Sequence, residues 1–525
     1  MKSNHLIRLF FIVLQIQSIS AQEPIRFAKM YFSTLDQPEF NNVYVTDSCY
    51  WISGWGVDTI RPWSWNARFV KISLEGELLL NRQLAETGKW YGWPRSIYFH
   101  NNKFYSSYLQ PDDTARLVSY DIVQDQIENY YTYGRFFPNE LGLFGGQIFV
   151  NKTGEQYLLS VTAGDSIIND DSTIQLIQLG SKKEVIQKRI YQYKKDIIAL
   201  LGVKQAPNGM IWTYGFSSKP YYIQGNDNSR RDYLLILSSE GDSIMAIKGR
   251  SYYTSGIRDI YLDDDGNFIC GTSILSHPVA REGVLGYPTI IKMDSTGKAK
   301  WTLRPDSTDK CEVWASTSNI RRMVRNRDGS YTALAGIEIR YDSLDPVYQS
   351  WDDRICLFNF TSDGKKNWER TFSFGNGAEA LDAHDLKITA DGGYIVPGWL
   401  YLADSFSYIQ PSVLIKTDSL GCLVPGCHMT VANEDDTDTE LNEKFKIYPN
   451  PITTDMLVLL SNITKEEGIL SIYTNNGLLV KNYKIKPDHG VQYLFDLPKL
   501  TSGIYLVRIE GKNYNWTDKI VKLSD

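Results

Sequence analysis

The stretch "ITADGGYIVPGWL", Ile388 to Leu400, decides how this chain is read. Apolar and polar residues alternate into Asp391-Gly392-Gly393, and a second apolar run ends at Gly398-Trp399. Two strand-like runs broken by Asp-Gly signal a β-hairpin, because Gly supplies a positive φ at the turn without steric cost. Cousins of the stretch recur: "VYVTDSCYWISGW" from Val43, "IYLDDDGNFICGT" from Ile260 and "MVRNRDGSYTALAG" from Met323. Aligned on the hairpin, the chain divides into seven units. Their first strands begin at Asn42, Ser96, Gln147, Leu201, Asp259, Arg322 and Asp385, a spacing of roughly 50 to 65 residues that suits propeller blades.

A second element recurs inside the unit. It reads "FVKISLEGELLLN" from Phe69, "LLILSSEGDSIMA" from Leu234, "IIKMDSTGKAKW" from Ile290, "CLFNFTSDGKKNW" from Cys356 and "LIKTDSLGCLV" from Leu414. Each is an apolar strand, a Gly-bearing turn and, usually, another strand. Trp301 and Trp368 fall at the same place in it, which predicts packing between neighbouring units. The expected fold class is all-β: a seven-bladed β-propeller of four-stranded blades over residues 22–427. A six- or eight-bladed count stays open, because the units around Ser96 and Gln147 match least well. The last unit reaches Gly421-Cys422 without a fourth strand, and "PIRFAKMYFS" (Pro24 to Ser33) is a spare one. Joining them closes the ring and removes two free sheet edges.

The turns orient the ring. Short Gly turns occupy one face, so the longer, aromatic connections share the other. Long loops on a rigid scaffold are where binding tends to lie. The contact candidates there are Trp63, Trp65, Trp90, Tyr91, Tyr222, Tyr287, Tyr348 and Trp351. The alternative is that these rings pack the loops onto the blades.

The 525 residues are 13% aromatic, a β-leaning composition, and a net charge of −6 offers no basic surface for nucleic acid. The chain opens with "MKSNHLIRLFFIVLQIQSISAQE", basic residues then an apolar run then Ser20-Ala21, which predicts a signal peptide over residues 1–21. Nothing else is apolar enough for about eighteen residues, so no membrane span is expected. An exported chain can hold disulfides, and "GCLVPGC" suggests a local Cys422–Cys427 bridge. The six cysteines allow fifteen full pairings, and free buried thiols are the alternative.

Residues 428–443, "HMTVANEDDTDTELNE", have the composition of a linker. Residues 444–525 carry five to seven short strand-like runs and read as a small β-sandwich. Three motifs stand out in that tail: Tyr448-Pro449-Asn450-Pro451, the run from Ser502 through Gly503 and Tyr505 to Arg508, and the terminal Lys519-Ile520-Val521-Lys522. With them the tail resembles the type A C-terminal sorting domain of the type IX secretion system of Bacteroidetes. That resemblance implies export across the outer membrane by this machinery and removal of the tail. It also implies release or attachment at the cell surface. The tripeptides at Asp58, Asp113 and Asp242 resemble O-glycan acceptor sites of the same bacteria.

Catalytic constellations are scarce. His100, His277, His384, His428 and His489 form no metal-ligand spacing, and His100 and His384 fall in or beside first strands as structural histidines. Asp263-Asp264-Asp265-Gly266 lacks the alternating ligands of a calcium loop and reads as a solvated turn. The Asp170-Asp171 and Asp352-Asp353 pairs carry no spacing information. No metal or cofactor is expected. The leading expectation is therefore a non-catalytic exported module binding an extracellular glycan or protein. Alternatives are a secreted polysaccharide hydrolase or lyase with carboxylates at the channel mouth, and a structural surface component.

Overall fold

The computed structural model describes residues 24–31, 36–57, 65–84, 90–91, 98–100, 102–109, 114–135, 147–150, 156–163, 172–180, 185–193, 197–206, 208–218, 231–249, 254–275, 286–306, 318–340, 351–374, 381–404, 407–429, 445–452, 456–461, 467–485 and 491–523. The expected signal peptide and nearly all of the acidic linker lie outside these residues.

The chain is all-β, built from small antiparallel sheets that resemble propeller blades. The first sheet comprises Asp36–Val45, Cys49–Val57, Trp65–Ser73 and Leu78–Leu84, hydrogen-bonded in chain order. We letter such strands A to D. The third, fourth, fifth and sixth sheets repeat the pattern, beginning with A strands Gln147–Val150, Ile197–Gln205, Asp259–Leu262 and Asn319–Arg325. In the second sheet the A position is shared by Trp90–Tyr91 and Tyr98–His100. In the seventh it is shared by Leu381–Ala383 and Lys387–Ile388. The seventh sheet takes its D strand from the other end of the chain. Phe27–Tyr31 pairs antiparallel with Ser412–Thr417, Ala28 opposite Ile415, and Arg26 bonds Asp418 beside it at 3.0 Å.

One turn geometry recurs ten times among the described residues. The first residue donates its N–H to the carbonyl four residues on, and a Gly three residues on donates back to the first residue's carbonyl. Those glycines have φ between 73° and 88°, the left-handed region that a side chain makes costly. Two capping styles divide the turns. In A–B turns the residue before Gly caps: Asn208, Asp265, Asp328 and Asp391 each accept the N–H two residues later. In C–D turns the first residue caps, as Ser73, Ser238, Asp294 and Asp418 accept the N–H groups two and four residues on. These side chains do locally what Asx and ST turns do generally.

The C–D glycines also form joints between sheets. A Cβ at Gly364 of the sixth sheet would lie 2.9 Å from the Trp301 ring of the fifth. A Cβ at Gly421 of the seventh would lie 2.8 Å from Trp368 of the sixth, and one at Gly76 of the first would lie 3.0 Å from Phe27. The repeated Trp thus covers the next sheet's turn. Buried apolar clusters join the first sheet to the second, the third to the fourth, and each later sheet to its successor. A further cluster of Phe27, Tyr31, Ile395 and Leu414 with Phe40, Val43 and Ile52 joins the seventh to the first.

The tail has seven strands in two sheets around its own core of Leu457, Leu459, Tyr493, Phe495, Val507 and Trp516. It is not a separate body. Its strand Val491–Asp496 pairs in parallel with Lys366–Phe374, the D strand of the sixth sheet, with Thr371 opposite Val491 and Phe374 opposite Leu494.

Gly364 and Gly329 separate the two demands on these glycines. Both have φ near 85°, but nothing lies within 4 Å of a Cβ at Gly329. Gly329→Ala is expected to cost about 1–2 kcal/mol through backbone strain alone. Gly364→Ala should cost about 1–3 kcal/mol more, because the Trp301 ring must move. Urea unfolding of the two variants checks this; equal losses would mean the Trp–Gly joint carries no weight.

Candidate functional site

The inner strands place charge where the sheets meet. Asp259, Arg322 and Asp385 each stand four residues before an A–B turn in consecutive sheets; the two carboxylates are buried and Arg322 is half-buried. Lys204 of the fourth sheet lies 3.4 Å from Asp259 of the fifth, with its ammonium over the Tyr261 ring. Arg322 of the sixth lies 3.4 Å from Asp385 of the seventh. Asp259 Oδ2 accepts the Met323 N–H at 2.8 Å, and Asp385 Oδ2 accepts the Val43 N–H of the first sheet at 3.0 Å. Burial opposes the Arg322 charge, but Asp385, Tyr214, Asp259 and Tyr44 together hold its pKa above the ordinary value. Burial likewise opposes ionisation of Asp259, and Lys204, Arg322 and two backbone N–H groups outweigh it.

On the turn side, the fifth and sixth sheets enclose a cleft of about 710 Å³ lined by Asp264, Lys292, Lys300, Trp301, Arg325 and Asp328, among others. Here the acidic triplet is the turn read from sequence, with Asp264 and Asp265 exposed, but its first carboxylate is not solvated. Asp263 is buried, 2.5 Å from the Lys292 ammonium and 3.1 Å from the Tyr331 hydroxyl. Asp265 lies 2.8 Å from the same ammonium, and Asp264 pairs with Arg325. An ammonium from the neighbouring strand occupies the place a cation would take. Among the described residues no group of three or more His, Cys, Asp or Glu side chains could hold a metal ion.

The aromatic candidates are described unevenly. Trp63, Tyr222 and Tyr348 lie outside the described residues. Trp65, Trp90, Tyr91 and Trp351 are placed by their backbone at the starts of strands, on the connection side of their sheets. Tyr287 is half-buried near the start of Gly286–Met293, packed on the core of the fifth and sixth sheets, with the Arg304 guanidinium 4.7 Å from its ring centre. His384 Nε2 accepts from Trp399 Nε1 at 3.2 Å. Glu39 lies 3.5 Å from that same nitrogen, which cannot donate while it accepts. Two amides, from Gln410 and Asn41, bond the Glu39 carboxylate instead. Asp352 and Asp353 are successive strand residues, and Asp170-Asp171 lies outside the described residues.

The sorting motifs, distant in sequence, meet in the tail. Asn450 donates its amide to the Lys519 carbonyl at 2.8 Å and accepts the Val521 N–H at 3.1 Å. Gly503 pairs with Lys522 and Tyr505 with Ile520. Pro449 is half-buried and Pro451 and Lys519 are exposed. Tyr448 reaches the body, donating its hydroxyl to the Arg26 carbonyl at 3.3 Å. Cys422 and Cys427 are bonded to each other, Cys49 and Cys270 are free and buried, and Cys356 is buried. Ser243 of the Asp242 tripeptide is exposed.

Sequence reasoning did not single out Asp232. It is buried at the start of the fourth sheet's C strand and accepts hydroxyl bonds from Thr254 and Thr272 at 2.7 and 3.0 Å. Burial pushes its pKa from 3.8 to about 6, against those two bonds. A carboxyl that keeps its proton in the fold gives full stability below its unfolded pKa and loses it as pH rises through the folded one. Asp232→Asn is therefore expected to gain on the natural chain by up to roughly 3 kcal/mol between pH 4 and pH 8, most of it by pH 6.5. Unfolding midpoints of both proteins across that range check this; a pH-independent difference would mean Asp232 is ionised in the fold.

Residues 446–523 match the family model described as a secretion system C-terminal sorting domain. Among solved structures, the Dos1 propeller is 9% identical, covering 72% of this chain and 77% of that one with a TM-score of 0.38. The β-propeller domain of the Trilobed protease from Pyrococcus furiosus is 9% identical over 71% of this chain and 98% of that one, also at 0.38. The Synechocystis apocarotenoid oxygenase is 8% identical over 76% and 95%, at 0.36. No curated protein matches the chain. Among the described residues no helix is long and apolar enough to cross a membrane. The chain thus carries a C-terminal domain of the type IX secretion sorting kind behind a body of blade-like sheets.

Proposed function

We propose that this chain is an exported, non-catalytic binding protein. Its body, residues 22–427, is a propeller of seven blades closed by the N-terminal strand. A signal peptide over 1–21 starts its export, and the sorting domain of 444–525, behind the linker of 428–443, hands it to the type IX secretion machinery. It is then released or held at the cell surface. The ring reading draws support from Arg322, on which groups from the first, fourth, fifth and seventh sheets act together. Side chains of five sheets gather about one guanidinium when their inner edges, here the A strands with Tyr214 from a B strand, converge on an axis.

The binding face is the one bearing the B–C and D–A connections. The opposite face is built of short turns whose side chains cap their own backbones, and charged groups of its cleft pair with one another, Lys292 with Asp263 and Asp265 and Arg325 with Asp264. The contact residues proposed are Trp63, Trp65, Trp90, Tyr91, Tyr222, Tyr287, Tyr348 and Trp351. Their rings suit the faces of sugars or the anchors of a protein interface.

The chain from Gln22 to its end, screened on glycan arrays and extracellular matrix proteins, is expected to bind saturably. A Trp63→Ala/Trp351→Ala double variant should bind about tenfold or more weakly. Binding unchanged in the variant, or none, would reject this face. Release of shortened sugars would favour the polysaccharide-acting alternative instead.

A further inference from the structure

The tail's first sheet is covered on both faces. Strand residues alternate in direction. Leu457, Leu459, Val491, Tyr493 and Phe495 face the tail's own core. The alternate residues Met456, Val458, Leu460 and Leu494, each 0–1% exposed, belong to a different cluster. Their neighbours there are Leu357 and Phe372 of the sixth sheet, Val396 and Ile415 of the seventh, and the Leu423-Val424 segment inside the disulfide loop. Standing alone, the tail would expose this second apolar face.

The polar groups are matched as closely. Gln492 is fully buried between these apolar residues. Its Oε1 accepts the Leu423 N–H at 2.7 Å, and its amide donates to the Gly421 carbonyl at 3.3 Å. A buried amide left without partners costs about 1–3 kcal/mol, so Gln492 is suited to the docked position and poorly suited to solvent-free packing elsewhere. The parallel ladder from Thr371 to Phe374 pairs what would otherwise be a free outer edge. Tyr448 adds a bond to the closing strand.

We propose that the tail is held by the body as a docked subunit and not by the linker alone. Cutting the chain between residues 430 and 444 leaves tail and body associated through the parallel ladder, the Gln492 bonds and the second apolar face. Cutting and separation are then distinct events, and something must strip the tail before the edge of the sixth sheet is free. The inference rests on the sheet geometry and stands whether or not the body binds a glycan.

The test places a specific protease site within 430–444 of the otherwise natural chain and cuts it to completion. The two pieces are expected to co-elute in size-exclusion chromatography at micromolar concentration. Gln492→Ala should weaken their association by about tenfold to a hundredfold. Leu460→Asp, which puts a charge on the body-facing side only, should abolish it. Circular dichroism of the uncut variants establishes that each is folded. Separation of the natural pieces would overturn the proposal, as would co-elution indifferent to both substitutions.

Discussion

The alternating charges on the inner strands are what the body depends on. Taking a carboxylate or guanidinium out of water costs several kcal/mol per ion, recovered only with good partners and further hydrogen bonds. Asp259 and Asp385 each find a cation in one direction and a backbone N–H of the next sheet in the other. From the fourth sheet through the seventh to the first, each inner strand is thus tied to its neighbour. A sheet displaced along the series would leave an uncompensated buried charge, a penalty of about 3–5 kcal/mol for each broken pair. The last of these links runs from Asp385 to Val43, across the same joint that the N-terminal strand seals on the outside. Inner and outer links thus coincide at one pair of sheets, which come from opposite ends of the body.

The turns were readable from the sequence because their physics is local. Five consecutive residues set the Gly φ, the capping side chain and the return of the backbone, so "DSTG" and "RDGS" announce themselves without knowledge of the fold. The burial of Asp263 within the acidic triplet was missed for the converse reason. Its turn was evident, but Lys292 approaches from a strand about thirty residues away. Lys416 does the same for Asp391 in the seventh sheet. No local pattern distinguishes an acidic turn facing water from one facing an ammonium. Asp232 was invisible on the same ground, since its hydroxyl partners are two threonines beyond the end of its own strand.

Aromatic residues posed a different problem. Trp301 and Trp368 could be assigned to packing because they recur at one position of the repeat, and repetition marks a structural requirement. Tyr287 does not recur, and its setting combines both uses: one part rests on the core while Arg304 covers the ring. Burying a ring and offering it to a sugar demand the same chemistry, so residue type alone separates neither. Geometry about the ring decides.

The tail held a signal that the sorting motifs overshadowed. A strand covered on one face alternates apolar and polar residues, whereas one covered on both reads as a continuous apolar run. Met456 to Leu460 is "MLVLL", and Tyr493 to Phe495 continues the pattern in the adjacent strand. Such strands predict a third layer beneath the sandwich. The motifs named what the tail addresses, while the absence of alternation recorded that the tail has a partner. That partner is the body itself, because Gln492, a polar interruption on the buried face, meets backbone groups beside the Cys422–Cys427 bridge. The disulfide therefore does more than close a small loop. The two backbone positions that satisfy the Gln492 amide, Gly421 and Leu423, flank its first cysteine, so the end of the seventh sheet and the docking of the tail meet at one place.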